Sequence, residues 1–360
     1  MTKRIVVLGL GRIGGAVAKL LNSDKRYRVI GADINAQTLK AYAHQFETVH
    51  LKGTDFSNIL MGQDAVLSAL SFNENPQVAK AALAGGCSYF DLTEDVQCTE
   101  RIKAIAKNAV QGQVFMPQCG LAPGFIGILA YSFRQYFDRM DSLKLRVGAL
   151  PEYPSNRMMY NLTWSTEGLV NEYANPCEAI KNHKITSLEP LEGREIFSVS
   201  GVEYESFNTS GGLANLCHSL EGQIRELTYK TIRYPGHCDL MRFLLHDLRL
   251  GEIGKRRDML MEILESSVAT TAQDLVLISV VATGYIDHKL QQRSRTFLIR
   301  HSKQQSGIQI ATSSAAVTTI DLILNSIKKR QGFVEQENLD IDSFLNNDFA
   351  KPYRVAELSI

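Results

Sequence analysis

The sequence predicts an α/β protein: an N-terminal parallel sheet, then a second α+β domain with a mixed or antiparallel sheet. Three observations predict this. From the N-terminus to about residue 120, short β-branched runs alternate with helical patterns, which is the pattern of βαβ units. A glycine-rich turn joins the first strand to the first helix. Beyond Gly124 the strands follow one another at hairpin distances and helices become sparse, which implies antiparallel or mixed pairing.

In chain order, the first domain carries predicted strands at 4–10, 28–33, 48–51, 65–70, 88–92 and 114–118. Helical patterns separate them at 13–21, 36–44, 76–84 and 99–109. Right-handed crossovers place such helices on both faces of the sheet. The second domain opens with a helix at 125–137 and a strand at 142–150. Strands follow at 161–165, 178–186, 196–199, 202–207, 225–232, 275–286 and 295–300, with helices at 212–219, 239–246 and 258–269. The expected division is 1–124, 125–312 and a polar tail at 330–360 winding over the surface. A late helix at 314–329 is expected to pack back on the first domain.

Composition narrows the function. Of 360 residues, 44% are hydrophobic and 21% charged, values of an ordinary globular chain. Lys and Arg number 39 against 38 Asp and Glu, so the basic excess of a nucleic-acid binder is missing. No apolar run approaches the length needed to cross a bilayer. The run at 5–8 is cut by Gly9 and Gly11 and lacks the core of an export signal. A cytoplasmic chain without a membrane segment is expected. The 6 cysteines form no CxxC pair and the 8 histidines no metal-binding spacing, so free thiols and no metal are expected.

Residues Gly9-Leu10-Gly11-Arg12-Ile13-Gly14 lie between a strand and a helix, the setting that gives a GxGxxG motif meaning. Gly9 permits the tight turn, Gly11 leaves room for a pyrophosphate, and Gly14 lets helix and strand approach. The N–H groups opening the helix at Arg12 and Ile13 suit phosphates. Asp33 ends the second strand, where a carboxylate bonds ribose hydroxyls and repels the extra phosphate of NADP. Ile34 and Asn35 follow it with no Arg. The reading is a Rossmann-type domain that binds NAD in preference to NADP. Leu70 and Ser71, after the fourth strand, are expected beside the nicotinamide ribose.

Candidates for chemistry lie beyond the carboxyl ends of the strands. Asp91 and Glu94 can bind a substrate ammonium or take its proton; the alternative is that this segment only caps the next helix. Cys119, in a Gly-flanked loop, is a substrate-contact candidate, with an inert packed thiol as the preferred alternative. In the second domain Lys230-Thr231-Ile232-Arg233-Tyr234-Pro235-Gly236-His237 ends a strand in a Pro-Gly turn. Arg233 suits a bidentate pair with a substrate carboxylate, and His237 a proton transfer; a surface Arg and a capping His are the alternatives. Thr209, in the turn Asn208-Thr209-Ser210-Gly211-Gly212, can help hold a carboxylate. Trp164, the only tryptophan, is either a pocket wall or a core residue.

Several motifs together resemble the saccharopine dehydrogenase family, including its L-lysine 6-dehydrogenase branch. They are Tyr89-Phe90-Asp91-Leu92-Thr93-Glu94, Gly120-Leu121-Ala122-Pro123-Gly124, Thr163-Trp164-Ser165, Glu167-Gly168-Leu169, Phe207-Asn208-Thr209 and Arg233-Tyr234-Pro235-Gly236-His237. The resemblance implies a nicotinamide-dependent oxidoreductase acting on the C–N bond of an amino acid, commonly homodimeric. Ala122-Pro123-Gly124, where saccharopine-acting members resemble Asp-Pro-Gly, points toward the L-lysine branch. A reductive synthase of saccharopine or of a carboxylated polyamine, and a non-catalytic NAD sensor, stay open as alternatives.

Overall fold

The computed structural model describes residues 2–326 and 330–358. The chain forms two compact units, Met1–Ile128 with Ala311–Arg354 and Leu129–Ile310 with Val355–Ile360.

Unit 1 begins with strands β1 (Lys3–Leu8), β2 (Tyr27–Asp33), β3 (Glu47–His50), β4 (Ala65–Ser68), β5 (Ser88–Asp91) and β6 (Val114–Met116). Its helices are α1 (Arg12–Asn22), α2 (Ala36–Tyr42), α3 (Ser57–Leu60), α4 (Asn75–Gly85), α5 (Val96–Ala106) and α6 (Phe125–Ser132). Ile5, Val6, Val7 and Leu8 are all buried, as expected of a parallel strand covered on both faces. Caps set the helix starts. Asn35 accepts from the N–H groups of Gln37 and Thr38, and Asp95 accepts from that of Cys98. Several strands end earlier than their apolar runs. β1 stops at Leu8 because Gly9, at φ +84, turns the chain out of the sheet.

Unit 2 carries β7 (Arg139–Pro151), α7 (Thr166–Ala174), β8 (Cys177–Lys181), β9 (Lys184–Leu188), β10 (Glu195–Val199), β11 (Val202–Asn208), α8 (Leu216–Leu220), β12 (Glu226–Arg233), α9 (His237–Arg242), α10 (Lys255–Ser267), β13 (Asp274–Ile286) and β14 (Lys289–Arg300). Its strands run in the order β10-β11-β12-β7-β13-β14, with β8 pairing β12 and β9. β12 and β7 are parallel; the other pairs are antiparallel.

Three expectations for this unit are corrected. The single strand at 178–186 is the hairpin β8–β9, because Asn182 and His183 both take positive φ and form a two-residue turn. Asp287 and His288 do the same, so β14 begins at Lys289 rather than at 295. Residues 161–165 form no strand; they lead into α7, whose N-cap Ser165 accepts from the Gly168 N–H.

The chain returns through α11 (Gly307–Leu324) and then β15 (Gly332–Phe333), α12 (Ile341–Asn346) and α13 (Lys351–Ala356). The buried Asp274 carboxylate accepts from the N–H groups of Gly307 and Ile308, so α11 starts earlier than the expected 314. The expected end at 329 lies outside the described residues. By length and apolarity α11 passes as a membrane span, yet 67% of it is buried within the chain, as a core helix would be.

The expected surface tail is also corrected. β15 pairs with β6 and completes a seven-stranded sheet in the order β15-β6-β5-β4-β1-β2-β3. Phe344 and Tyr353 are fully buried; Phe125 packs on Tyr353 with ring centroids 4.0 Å apart. The Tyr353 hydroxyl donates to the Ala311 carbonyl. Polar residues dominate this stretch by count, but its few buried aromatics drive the packing, each worth roughly 1.5–3 kcal/mol when buried.

Candidate active site

In unit 1 the chain starts at β1, runs outward to β3, and crosses back to β4 on the other side of β1. That reversal opens a crevice at the carboxyl ends of β1 and β4, the place where open α/β sheets bind ligands. Gly9, Gly11 and Gly14 lie there. A Cβ on Gly14 would sit 1.8 Å from the Gly9 carbonyl oxygen, whereas one on Gly11 would meet nothing within 4 Å. Gly14 therefore serves packing, and Gly11 leaves an open cradle at the start of α1. Arg12 and Ile13 form the first turn of that helix.

Asp33 is tied to the same turn. Its carboxylate accepts from the Leu10 N–H at 2.7 Å and from the Asn35 N–H at 2.7 Å. Each carboxylate oxygen keeps acceptor capacity for a ribose hydroxyl. Ile34 is 70% exposed and offers an apolar surface to a base. Leu70 packs against the Gly9 turn, its Cδ2 3.1 Å from a Cβ built there, and Ser71 beyond it is exposed. The structure brings the sequence-predicted cofactor residues of β1, β2 and β4 to one sheet edge, and they fit a dinucleotide.

Asp91 is not where a reacting carboxylate would be. It is fully buried and accepts from the Tyr89 hydroxyl, the Asn75 amide and the N–H groups of Thr93 and Gln118. Burial, with the Glu94 charge adding to it, pushes its pKa up to about 6 against the Tyr89, Gln118 and Thr93 donors. It pins the carboxyl ends of β5 and β6. Asp91→Asn is expected to lower stability by about 2–4 kcal/mol, because an amide would present donors to backbone N–H groups. Denaturant unfolding reads this as a lower midpoint at unchanged slope. Lost activity at full stability would instead return Asp91 to the reacting atoms.

Glu94, three residues after Asp91 in the same motif, is half-buried, and Asp95 caps α5. Cys119 is buried, its thiol donates to the Met116 carbonyl, and burial raises its pKa far above the usual thiol value. It is an inert packed thiol rather than a substrate contact.

Unit 2 holds a second constellation, at the end of β12. Arg233 is 2% exposed. Its Nε donates to the Tyr173 hydroxyl at 2.8 Å, and its guanidinium lies 5.1 Å from the Tyr160 ring centroid and 5.7 Å from that of Tyr173. Among the described residues no carboxylate forms an ion pair with it. Tyr173, Tyr160 and the Glu172 carboxylate on α7 together favour its charged form against burial, and the lack of a direct ion pair leaves a place for an incoming carboxylate.

His237 stands behind this arginine. It is fully buried, and burial together with the Arg233 charge pushes its pKa down to about 3. The neutral ring donates from Nδ1 to the Met158 carbonyl at 2.8 Å, so Nε2, 3.1 Å away, accepts from the Tyr173 hydroxyl. The expectation that His237 moves a substrate proton is corrected: its lone pair is taken, and it orients Tyr173, which orients Arg233. Glu205 holds the intervening turn by accepting from the Gly236 and Cys238 N–H groups.

Four buried hydroxyls among the described residues of unit 2, those of Tyr160, Thr163, Ser206 and Thr209, have no hydrogen-bond partner. Thr163 and Trp164 approach the Tyr160 hydroxyl without closing a hydrogen bond. Trp164 packs against α7, where a Cβ on Gly168 would come within 2.3 Å of its ring. Thr209 follows β11, and its neighbour Ser210 donates to the Glu172 carbonyl on α7. Unsatisfied buried donors are uncommon and mark places where a ligand completes the network. Tyr160, Thr163 and Tyr173 were not legible as site residues, because a buried tyrosine in sequence looks like any core aromatic. The Ser165-x-x-Gly168 cap was the available signal for the helix carrying Tyr173.

Comparisons with known proteins agree with this layout. Residues 5–116 match the saccharopine dehydrogenase NADP binding domain, and residues 120–354 the saccharopine dehydrogenase C-terminal domain. Mitochondrial alpha-aminoadipic semialdehyde synthase of Mus musculus is 24% identical over 200 residues, which is 52% of this chain and 21% of that protein. The chain thus aligns with about a fifth of the length of these curated relatives. Apo saccharopine dehydrogenase (L-Glu forming) from Saccharomyces cerevisiae superposes with a TM-score of 0.80 at 16% identity, covering 95% of this chain and 96% of that one. Homospermidine synthase from Legionella pneumophila, in complex with NAD, gives 0.67 at 13% identity, covering 98% and 90%. At such identities the structures share the fold; the two domain matches, which together span most of the sequence, place the chain in the saccharopine dehydrogenase family of NAD(P)-binding oxidoreductases.

Proposed function

We propose that this protein is an NAD-dependent dehydrogenase acting on the C–N bond of an amino acid, of the L-lysine 6-dehydrogenase type, working as a cytoplasmic homodimer. The observation that carries the reading is Arg233: a buried guanidinium with no ion-pair partner among the described residues, among aromatic rings and unpartnered hydroxyls. Such a group fits the α-carboxylate of an amino acid.

When bound, the nicotinamide accepts a hydride from the substrate carbon that bears nitrogen. The residues of the chain do the rest. Arg233 holds the carboxylate, and Tyr173 and His237 hold Arg233 in one orientation. Tyr160, Thr163 and Thr209 supply hydroxyls to the same substrate. In unit 1, Glu94 rather than the enclosed Asp91 remains the candidate for the amine proton. Asp33 supports NAD over NADP, because a 2′-phosphate beside its carboxylate would be repelled and Ile34 and Asn35 offer no cation. The family description names NADP, so the cofactor is part of the test.

The test follows absorbance of the reduced nicotinamide at alkaline pH. NAD⁺ and NADP⁺ are each paired with L-lysine, L-saccharopine and other amino acids and diamines. Reduction of NAD⁺ by L-lysine is expected, with Asp33→Ser reducing the preference for NAD⁺ over NADP⁺ at least tenfold, about 1.4 kcal/mol. Oxidation of NADH only when an aldehyde and an amine are supplied together would make the protein a reductive synthase. NAD binding without turnover in either direction would favour the sensor.

A further inference from the structure

The sheet of unit 2 has a polar face opposite the one carrying Arg233. Along β7, Ser142, Lys144 and Arg146 alternate with the buried Leu143, Leu145 and Val147, the period of a strand with two different faces. Lys230 on β12 pairs in register with Arg146, and Thr228 with Lys144. The two lysines and the arginine therefore lie on one face of two adjacent strands.

One carboxylate serves all three cations. Glu195 lies 2.5 Å from Arg146, 2.9 Å from Lys230 and 3.4 Å from Lys144. Burial opposes its ionisation, but Arg146 and Lys230 win and hold its pKa down to about 2. It stays negative, and the group keeps an uncompensated positive charge. The nearby acids offset only part of it: Asp141 and Glu226 are both engaged by Arg225, which leaves three carboxylates facing four cations. The group's own acceptors are also too few. Arg146 Nε is buried without a partner, and the Lys144 side chain, 44% exposed, holds Glu195 only loosely.

A cavity of about 870 Å³ opens over this face, with Lys144, Arg146, Ser142, Thr283 and Gln292 among its walls and Asp141, Arg225 and Glu226 at one side. That volume suits a small metabolite. Neighbouring like charges in a concave surface attract a counter-ion strongly.

We propose that this face binds a small polyanion, a phosphate ester or polycarboxylate in chemical class, between Lys144 and Arg146. The site belongs to unit 2 alone and does not depend on the dehydrogenase reading. Ser142, Thr283 and Gln292 would supply hydrogen bonds around the anion, and Glu195 would keep Arg146 and Lys230 in place beneath it.

Calorimetric titration of the full-length protein with sodium pyrophosphate and, separately, with citrate at constant ionic strength tests this. Binding of at least one is expected, weakened about tenfold or more by Lys144→Gln and by Arg146→Gln, and largely retained by Lys144→Arg. The pyrophosphate and citrate arms tell phosphate from carboxylate chemistry. Lys144 carries the result if Arg146→Gln does not fold, because its exposed side chain makes one loose contact. No binding of either anion overturns the proposal. So does equal affinity in Lys144→Gln, which would place the anion elsewhere, as in the dinucleotide cradle. A fall in sedimenting mass in Lys144→Gln, with no effect of either anion, also overturns it and makes this face a contact between copies of the chain.

Discussion

Replacing Arg233 with Met is expected to lower kcat/KM for the amino-acid substrate by about 100- to 1,000-fold, mostly through KM. The magnitude is that of removing one partner of a buried, hydrogen-bonded charge pair, about 2–5 kcal/mol. Methionine is the informative choice because it fills similar volume and leaves no buried charge. Arg233 forms no direct ion pair among the described residues, and the Glu172 charge favours it through space, so thermal stability is expected to change by less than about 1 kcal/mol. Tyr173 loses one donor but keeps His237 as acceptor. Arg233→Lys is expected to recover little, since an ammonium cannot reproduce the planar two-point contact with a carboxylate while also donating to Tyr173 as Nε does. Steady-state kinetics with melting curves on the same samples give the answer. A KM within about twofold of the parent, a change of under 0.5 kcal/mol, would end the carboxylate role and with it the strongest support for the proposed activity.

Gly14→Ala is expected to cost about 1–3 kcal/mol of stability and to abolish tight dinucleotide binding. The new Cβ would lie 1.8 Å from the Gly9 carbonyl oxygen and 3.0 Å from the Ala69 Cβ. Neither can rotate away, so α1 must shift off β1, and overpacking of that kind costs about this much. Gly11→Ala is the matched comparison. Its Cβ meets nothing within 4 Å, and its φ of −63 suits any residue. Stability should therefore stay within about 0.5 kcal/mol, while cofactor affinity falls because the methyl enters the space left for the pyrophosphate. Melting temperature and NADH fluorescence titration separate the two effects. Equal destabilisation by both substitutions would make the Gly11 cradle a packing feature and remove the argument that it is open for a ligand.

The dinucleotide turn of unit 1 was legible in the sequence because its information is local. Gly9, Gly11, Gly14 and Asp33 are read from one strand-turn-helix and the next strand, and the parallel sheet carries them to one edge. The constellation of unit 2 was legible only at its ends. Arg233 and Trp164 stood out by residue type and motif. Tyr160 and Tyr173 did not, since only the pairing of β11 with β12 and the packing of α7 set them around the guanidinium. Asp91 and His237 were misjudged for one reason. A sequence shows that a group can titrate but not how many donors and how much burial surround it, and those decide whether it binds substrate or holds the scaffold.

By itself the sequence determined the α/β class, the dinucleotide turn and the family, because hydrophobic period, glycine placement and short motifs are written within a few tens of residues. Only the tertiary structure decided three further points. Residues 330–354 complete the first unit's core, Asp91 is enclosed while Arg233 is left without an ion-pair partner among the described residues, and Lys144, Arg146 and Lys230 share one carboxylate. Burial and charge balance are sums over neighbours brought together from distant parts of the chain, and no local stretch of sequence contains them.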